Sequence, residues 1–181
     1  MIKKTIKLLS VFAGILALLV VVSACKIGYS FTGASISPDV KTVFIDFFTN
    51  RARVVNPILS QTFTEKMKDK FVNETGLSMV SMESQQGDLE FSGEITGYEV
   101  RPLSIQQSEQ GRDFASMNRL TVTIKVIFTN NKDHEQDFNT SFSAYYDWES
   151  TRSLNDVEND AVTVIVEQLV DDIFNKSVAN W

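Results

Sequence analysis

The chain has 181 residues, 17 basic against 23 acidic side chains, a formal charge of −6, one cysteine and one histidine. The acidic balance weighs against sequence-independent nucleic-acid binding, which relies on Lys and Arg neutralising phosphates. A single cysteine excludes an intrachain disulfide.

Lys3, Lys4 and Lys7 precede an apolar run over residues 8–22, which ends in Val22-Ser23-Ala24-Cys25. A basic start, an apolar core and small residues before a cleavage point make a secretory signal. The cysteine stands where a bacterial lipoprotein signal places it, so Cys25 is predicted to be the lipidated first residue of the mature protein. The run is close to the roughly 20 apolar residues of a membrane span, and a retained helix is the alternative; the Val-Ser-Ala-Cys ending favours cleavage. Acylation also explains an unpaired cysteine in an exported chain. Removing residues 1–24 takes three lysines away, leaves 157 residues and moves the formal charge from −6 to −9. That length supports a single core. One acyl chain binds a bilayer marginally and two or more bind it stably, so a multi-acylated Cys25, with palmitate among its chains, would hold the domain on a membrane. Lys26 rather than aspartate follows the cysteine, which is compatible with outer-membrane sorting.

Residues 25–40 carry Gly28, Gly33 and Pro38 without helical or strand period and read as a tether. The domain is expected over 41–181. Residues 42–48, Thr-Val-Phe-Ile-Asp-Phe-Phe, suit one strand buried on both faces. After a polar turn, Asn56 is a predicted N-cap with Pro57 at the first helical position. Leu59, Phe63, Met67 and Phe71 fall at spacing four, and Gly76 closes the helix. Residues 77–82 read as a short strand, and strand, helix, strand favours a parallel crossover.

Beyond Gly87 the pattern alternates. Leu89, Phe91 and Ile95 oppose Glu90, Ser92, Glu94 and Thr96, as in a sheet with one wet face. Gly97 interrupts the phase and predicts a bulge or bend before Tyr98 and Val100. Leu120, Val122, Ile124, Val126 and Phe128 mark one strand of a hairpin, residues 130–133 its turn, and Phe138, Phe142, Ala144 and Tyr146 the returning strand. A last helix is expected over 155–178, with a stripe of Val157, Ala161, Val164, Ile165, Gln168, Leu169 and Ile173. Its acidic start, Asp156, Glu158 and Asp160, complements the helix dipole. The predicted architecture is α+β, two helices packed on one face of a mixed four- to five-stranded sheet. The opposite sheet face, rich in Ser, Thr, Glu and Lys, is either solvated or buried in something polar.

Catalytic chemistry is scarce. His134 falls in the predicted turn beside Asp133 and Glu135 and reads as solvated. There is no zinc-type ligand cluster, phosphate loop or nucleophile elbow. Glu90 and Glu94 lack the apolar neighbours that raise a catalytic carboxyl pKa, and Asp171-Asp172 falls short of the six to eight oxygens of a calcium site. The reading is a non-enzymatic protein without cofactor or metal. Tyr98, Phe114, Tyr145, Tyr146 and Trp148 cluster near one end of the sheet with Arg101, Arg112 and Arg119 close in sequence. Tyr, Trp and Arg are enriched at interface hot spots, and residues 101–117 exceed an ordinary hairpin loop.

Cys25-Lys26-Ile27-Gly28-Tyr29-Ser30-Phe31-Thr32-Gly33-Ala34-Ser35-Ile36, then Lys41-Thr42-Val43, Asn56-Pro57, Leu59-Ser60-Gln61-Thr62-Phe63-Thr64-Glu65 and Gly93-Glu94-Ile95-Thr96-Gly97-Tyr98 resemble the LptE family of lipopolysaccharide-assembly lipoproteins. The likeness covers nearly the whole mature chain and is most specific in the Gly-Tyr-Ser-Phe segment. It implies an outer-membrane lipoprotein, periplasm-facing, that sits in the lumen of an LptD-type β-barrel, supports its folding and helps deliver lipopolysaccharide to the outer leaflet. Tyr98, Arg101, Arg112, Arg119, Lys125, Tyr145 and Trp148 are the candidate barrel or ligand contacts; the cations among them are proposed for phosphate. The alternative is a stand-alone periplasmic lipid-binding or chaperone-like lipoprotein.

Overall fold

The computed structural model describes residues 36–81, 83–84, 86–103 and 117–178. The signal segment, Cys25, Arg112 and Phe114 lie outside the described residues. In chain order the elements are β1 (Thr42–Ile45), β2 (Thr49–Asn50), α1 (Leu59–Thr75), β3 (Ser78–Met79), β4 (Leu89–Pro102), β5 (Met117–Asn130), a short 3-10 turn at His134–Gln136, β6 (Phe138–Glu149) and α2 (Leu154–Val178). The strands make one mixed sheet in the order β3-β1-β4-β5-β6, with β2 also pairing on β4. β1 runs parallel to β3 and β4, β2 runs parallel to β4, and β4-β5-β6 is an antiparallel meander. The α+β class holds, with the two-residue β2 taking the sheet to six strands rather than four or five.

The strand expected over 42–48 is split. Asp46 stops it: its carboxylate accepts the Phe47 N–H at 2.7 Å, while its own N–H still bonds Phe91 O at 2.9 Å. Phe47 consequently faces solvent, and Phe48 turns inward onto Phe63, with ring centroids 4.9 Å apart. The sheet admits that ring because position 93 is glycine. A Cβ there would stand 2.8 Å from Phe48 Cε1 and 2.0 Å from the Lys125 carbonyl oxygen, and the residue has φ +157°.

Asn56 caps α1 as expected, its Oδ1 accepting the N–H groups of Ile58 and Leu59 at 3.0 and 3.1 Å. Regular helix begins at Leu59, two residues later than Pro57. Leu59, Phe63, Met67 and Phe71 are buried, and Gly76 ends the helix in the left-handed conformation at φ 69°, which costs glycine little. The predicted irregularity in β4 is a register shift between Ile95 and Gly97. In α2 the stripe differs from the expected one: Val164 and Gln168 are exposed, and Val162, Val166 and Val170 are buried. The helix touches both the sheet and α1, so it buries a double row rather than one narrow seam.

Both helices lie on one face. Phe71 of α1 packs on Phe91 of β4 at 4.7 Å and Phe174 of α2 at 5.1 Å, and the rings continue through Phe128 to Phe138 at 4.7 and 5.1 Å. Each fully buried ring of the row contributes about 1.5–3 kcal/mol of transfer free energy, and the partly exposed Phe138 less. This apolar row runs across the sheet and fixes which face of every strand points inward. Val40 is already buried in this core, and Ile36 packs against it.

Candidate interaction surface

Period-two alternation gives the sheet a second face that no described element covers. On β5 the inward residues from Leu120 to Phe128 are buried, while Arg119, Thr121, Thr123 and Lys125 between them are half-buried. Register extends these into cross-strand rows: Arg101, Arg119 and Asp147; Glu99, Thr121 and Tyr145; Gly97, Thr123 and Ser143; Glu94, Lys125 and Ser141. Four of the candidate residues, Arg101, Arg119, Lys125 and Tyr145, therefore share this outer face.

Within it the cations differ. Arg119 makes a bidentate pair with Asp147, Nε and Nη2 each 2.7 Å from a carboxylate oxygen, and its guanidinium lies 3.7 Å from the Tyr145 ring centre. The hydrogen bond to Asp147 raises the Arg119 pKa, and the same contact lowers that of Asp147. Arg119 is thus held by its neighbours. Among the described residues Arg101 pairs with the exposed Glu99 of its own strand, at 2.8 Å, and such pairs exchange readily. Thr123 and Ser143 join hydroxyls at 2.9 Å. The face mixes short hydroxyl side chains with charged ones, Lys125 and Glu94 within it as well as Arg119 and Asp147 at one end, and Ile127 is an exposed apolar residue among them.

Tyr98 and Trp148 lie elsewhere. Both point to the helix side and are only 6 and 4% exposed, so little of either side chain is open to a partner. Their polar tips are used internally: Trp148 Nε1 donates to Arg152 O at 3.1 Å, and Tyr98 Oη donates to Glu158. Asn56 Nδ2 donates to the same Glu158 oxygen at 2.8 Å. Burial, then the bond to Glu158, pushes the Tyr98 hydroxyl pKa up. That trio joins β4, the α1 cap and α2.

The carboxylates singled out in the sequence serve the fold. Glu90, expected to be solvated, accepts from Asn131 Nδ2 at 2.7 Å and ties β4 to the hairpin turn. Asp171 bridges to Lys70 of α1 at 2.8 Å. His134 is exposed in the 3-10 turn, its Nδ1 2.9 Å from Asp137. Among the described residues no cluster of three His, Cys, Asp or Glu could hold a metal ion. No helix among them is long and apolar enough to cross a membrane.

Sequence reading missed one feature, an open groove of about 490 Å³ bounded by Arg53, Val54, Tyr98, Val100 and Leu154. Val54 and Val100 in its lining are exposed, as are Val55 and Ile58 next in the chain to Val54 and Pro57. The signal was present as two consecutive valines in a turn taken to be polar.

A family model described as LptE, lipopolysaccharide-assembly, matches residues 40–177. No curated protein matches the chain significantly. Among solved structures, the hypothetical protein CT253 of Chlamydia trachomatis aligns with a TM-score of 0.51 at 9% identity, covering 78% of this chain and 99% of that one. A minor lipoprotein of Acinetobacter baumannii aligns at 0.46 and 9% identity, covering 76 and 91% of the two chains. Rare lipoprotein B of Shewanella oneidensis aligns at 0.43 and 5% identity, covering 75 and 90%. The first likeness is one of fold alone, and the other two scores are too low to support an argument.

Proposed function

Because the chain belongs to the LptE family of lipopolysaccharide-assembly proteins, we propose that it acts without catalysis as a lipid-anchored subunit that occupies the lumen of an LptD-type β-barrel. There it assists assembly of the barrel and the passage of lipopolysaccharide to the outer leaflet. The observation that carries this reading is the outer sheet face, which no described element covers and in which Ser, Thr, Glu, Lys and Arg predominate around the exposed Ile127 and Tyr145, opposite an apolar core. A porin-type lumen is polar, and a plug inside it must meet polar groups with hydrogen-bonding groups rather than with bare apolar surface. Arg101, held among the described residues by an exposed pair with Glu99, and Lys125 are the outer-face cations open to exchange, whereas Arg119 is committed to Asp147 and stacked on Tyr145. In this reading they contact the barrel wall or the phosphates of lipopolysaccharide, with Arg112 a further candidate. Cys25, acylated, supplies the outer-membrane anchor.

The test is co-purification of the tagged full-length chain from outer membranes in mild detergent, with the partners identified by mass spectrometry. The expected result is a large β-barrel protein in near-equal amount. Recovery of lipid without a barrel would overturn the plug reading and favour a stand-alone lipid carrier.

A further inference from the structure

The meander ends at β6, and among the described residues nothing pairs with its far side. An edge strand presents a row of unpaired N–H and C=O groups, and proteins usually blunt it by brevity, lysine, proline, a bulge or an inward charge. Among the described residues β6 itself shows none of these devices, although Lys176 of α2 lies 5.2 Å over the Phe138 ring at its start. It is 12 residues long, Phe138–Glu149, or about 40 Å. Its sequence holds no lysine, proline or glycine, and its pairing with β5 runs without a register shift from Phe138 to Glu149. Its two carboxylates, Asp147 and Glu149, are in register with Arg119 and Met117 of the outer face, not with the core row. The opposite edge is formed by β3, only two residues long.

The side chains along β6 describe what would complete it. On the core side Phe138, Phe142 and Tyr146 pack against the hydrophobic cluster yet stay partly exposed. On the outer side Asn139, Ser141, Ser143 and Tyr145 are exposed. An added strand with apolar residues at alternate positions would cover the three rings, and hydroxyl or amide residues between them would continue the polar face.

We propose that β6 is a strand-acceptor edge whose occupant is an extended, amphipathic β-strand donated by another protein, of the alternating apolar and polar kind from which β-barrels are built. Strand addition gives affinity through main-chain hydrogen bonds and selectivity through alternate side chains. The excess of acidic over basic side chains on every copy, −6 per chain, sets a second copy of the chain at a disadvantage as donor. Only the identity of the donor rests on the barrel-subunit reading; the acceptor edge itself does not. Its role would be to hold an unpaired barrel strand before the barrel closes.

The experiment uses the full-length chain in detergent and a synthetic peptide as long as β6, alternating valine and threonine with a lysine at each end. Binding is followed by fluorescence anisotropy and located by hydrogen exchange. The expected result is slowed exchange confined to β6, and about tenfold or greater weakening when every second peptide amide on the pairing edge is N-methylated. Methylation of the other set should leave affinity unchanged. Absence of binding, protection at the Val54 and Val100 groove instead, equal sensitivity to both methylation patterns, or concentration-dependent protection of β6 without peptide would each overturn the proposal. A chain that co-purifies with its barrel but ignores the peptide would keep the plug reading and lose this one.

Discussion

Substituting alanine at two glycines of β4 gives opposite expectations from one geometric argument. At Gly93 the new Cβ would lie 2.0 Å from the Lys125 carbonyl oxygen and 2.8 Å from Phe48 Cε1, at a φ of +157°. The carbonyl belongs to the β4–β5 ladder, so relief requires separating the two strands. Overpacking costs about 1–3 kcal/mol and a non-glycine residue in that backbone region about 1–3 more, together roughly 2–6 kcal/mol. Against a total of about 5–15 kcal/mol for a domain, Gly93→Ala removes a large share of the stability. At Gly97 the nearest atoms are Thr123 Cβ and Oγ1 at 3.1 and 3.2 Å, with no backbone atom closer than 3.6 Å, so a shift of a few tenths of an ångström relieves the contact. The loss of unfolded-state freedom returns about 0.4–1 kcal/mol, so Gly97→Ala should fall within about 1 kcal/mol of wild type. Urea unfolding followed by the fluorescence of buried Trp148 measures both. A Gly93→Ala cost below about 1 kcal/mol, or a larger cost at Gly97, would refute the close-approach reasoning.

Tyr98→Phe leaves the Glu158 oxygen with Asn56 alone and should cost about 1–3 kcal/mol by thermal or urea unfolding. The pKa of Tyr98 is raised, so the stability it contributes is complete below the ordinary tyrosine value of about 10 and lost as pH rises above it; the variant should show a flatter alkaline limb. Asp88 has a lowered pKa, first through Lys132 at 2.9 Å and then through the backbone N–H of Lys41 at 2.8 Å. Its contribution is present above the ordinary carboxylate value of about 3.9 and fades as pH falls below it, so Asp88→Asn should be less stable at neutral pH and flatten the acid limb of a stability-against-pH curve. Lys70 bridges Asp171 and Glu74 at 2.8 and 2.7 Å across partly exposed positions. Lys70→Ala should therefore cost less than about 1 kcal/mol, and the difference should shrink in high salt.

Periodic elements were legible in the sequence because one face of each is uniformly apolar. The β5–β6 hairpin, the α1 stripe from Leu59 to Phe71, the shift at Gly97 and the extent of α2 all follow from patterning. The break at Asp46 was not, since a single carboxylate within an apolar run reads as a tolerated interruption, and its bond to the next N–H is a local choice of backbone. β2 is too short to carry any pattern. The outer face was readable as polar and continuous, so Arg101, Arg119, Lys125 and Tyr145 come together as alternation requires. Tyr98 and Trp148 were drawn toward an interface by residue type alone. Aromatics with a polar tip also suit a core that supplies a partner, and those partners arise from tertiary packing, as with Glu158, which lies 60 positions from Tyr98 and 102 from Asn56.

The central claim is that the polar sheet face, not the helical layer, meets the barrel. A photo-crosslinking amino acid at Thr123, in the middle of the outer face, and another at the exposed Val164 of α2 test it in cells. The account predicts a crosslink from position 123 to a large outer-membrane β-barrel and a much weaker one from position 164. A strong crosslink from 164 with none from 123 would contradict it.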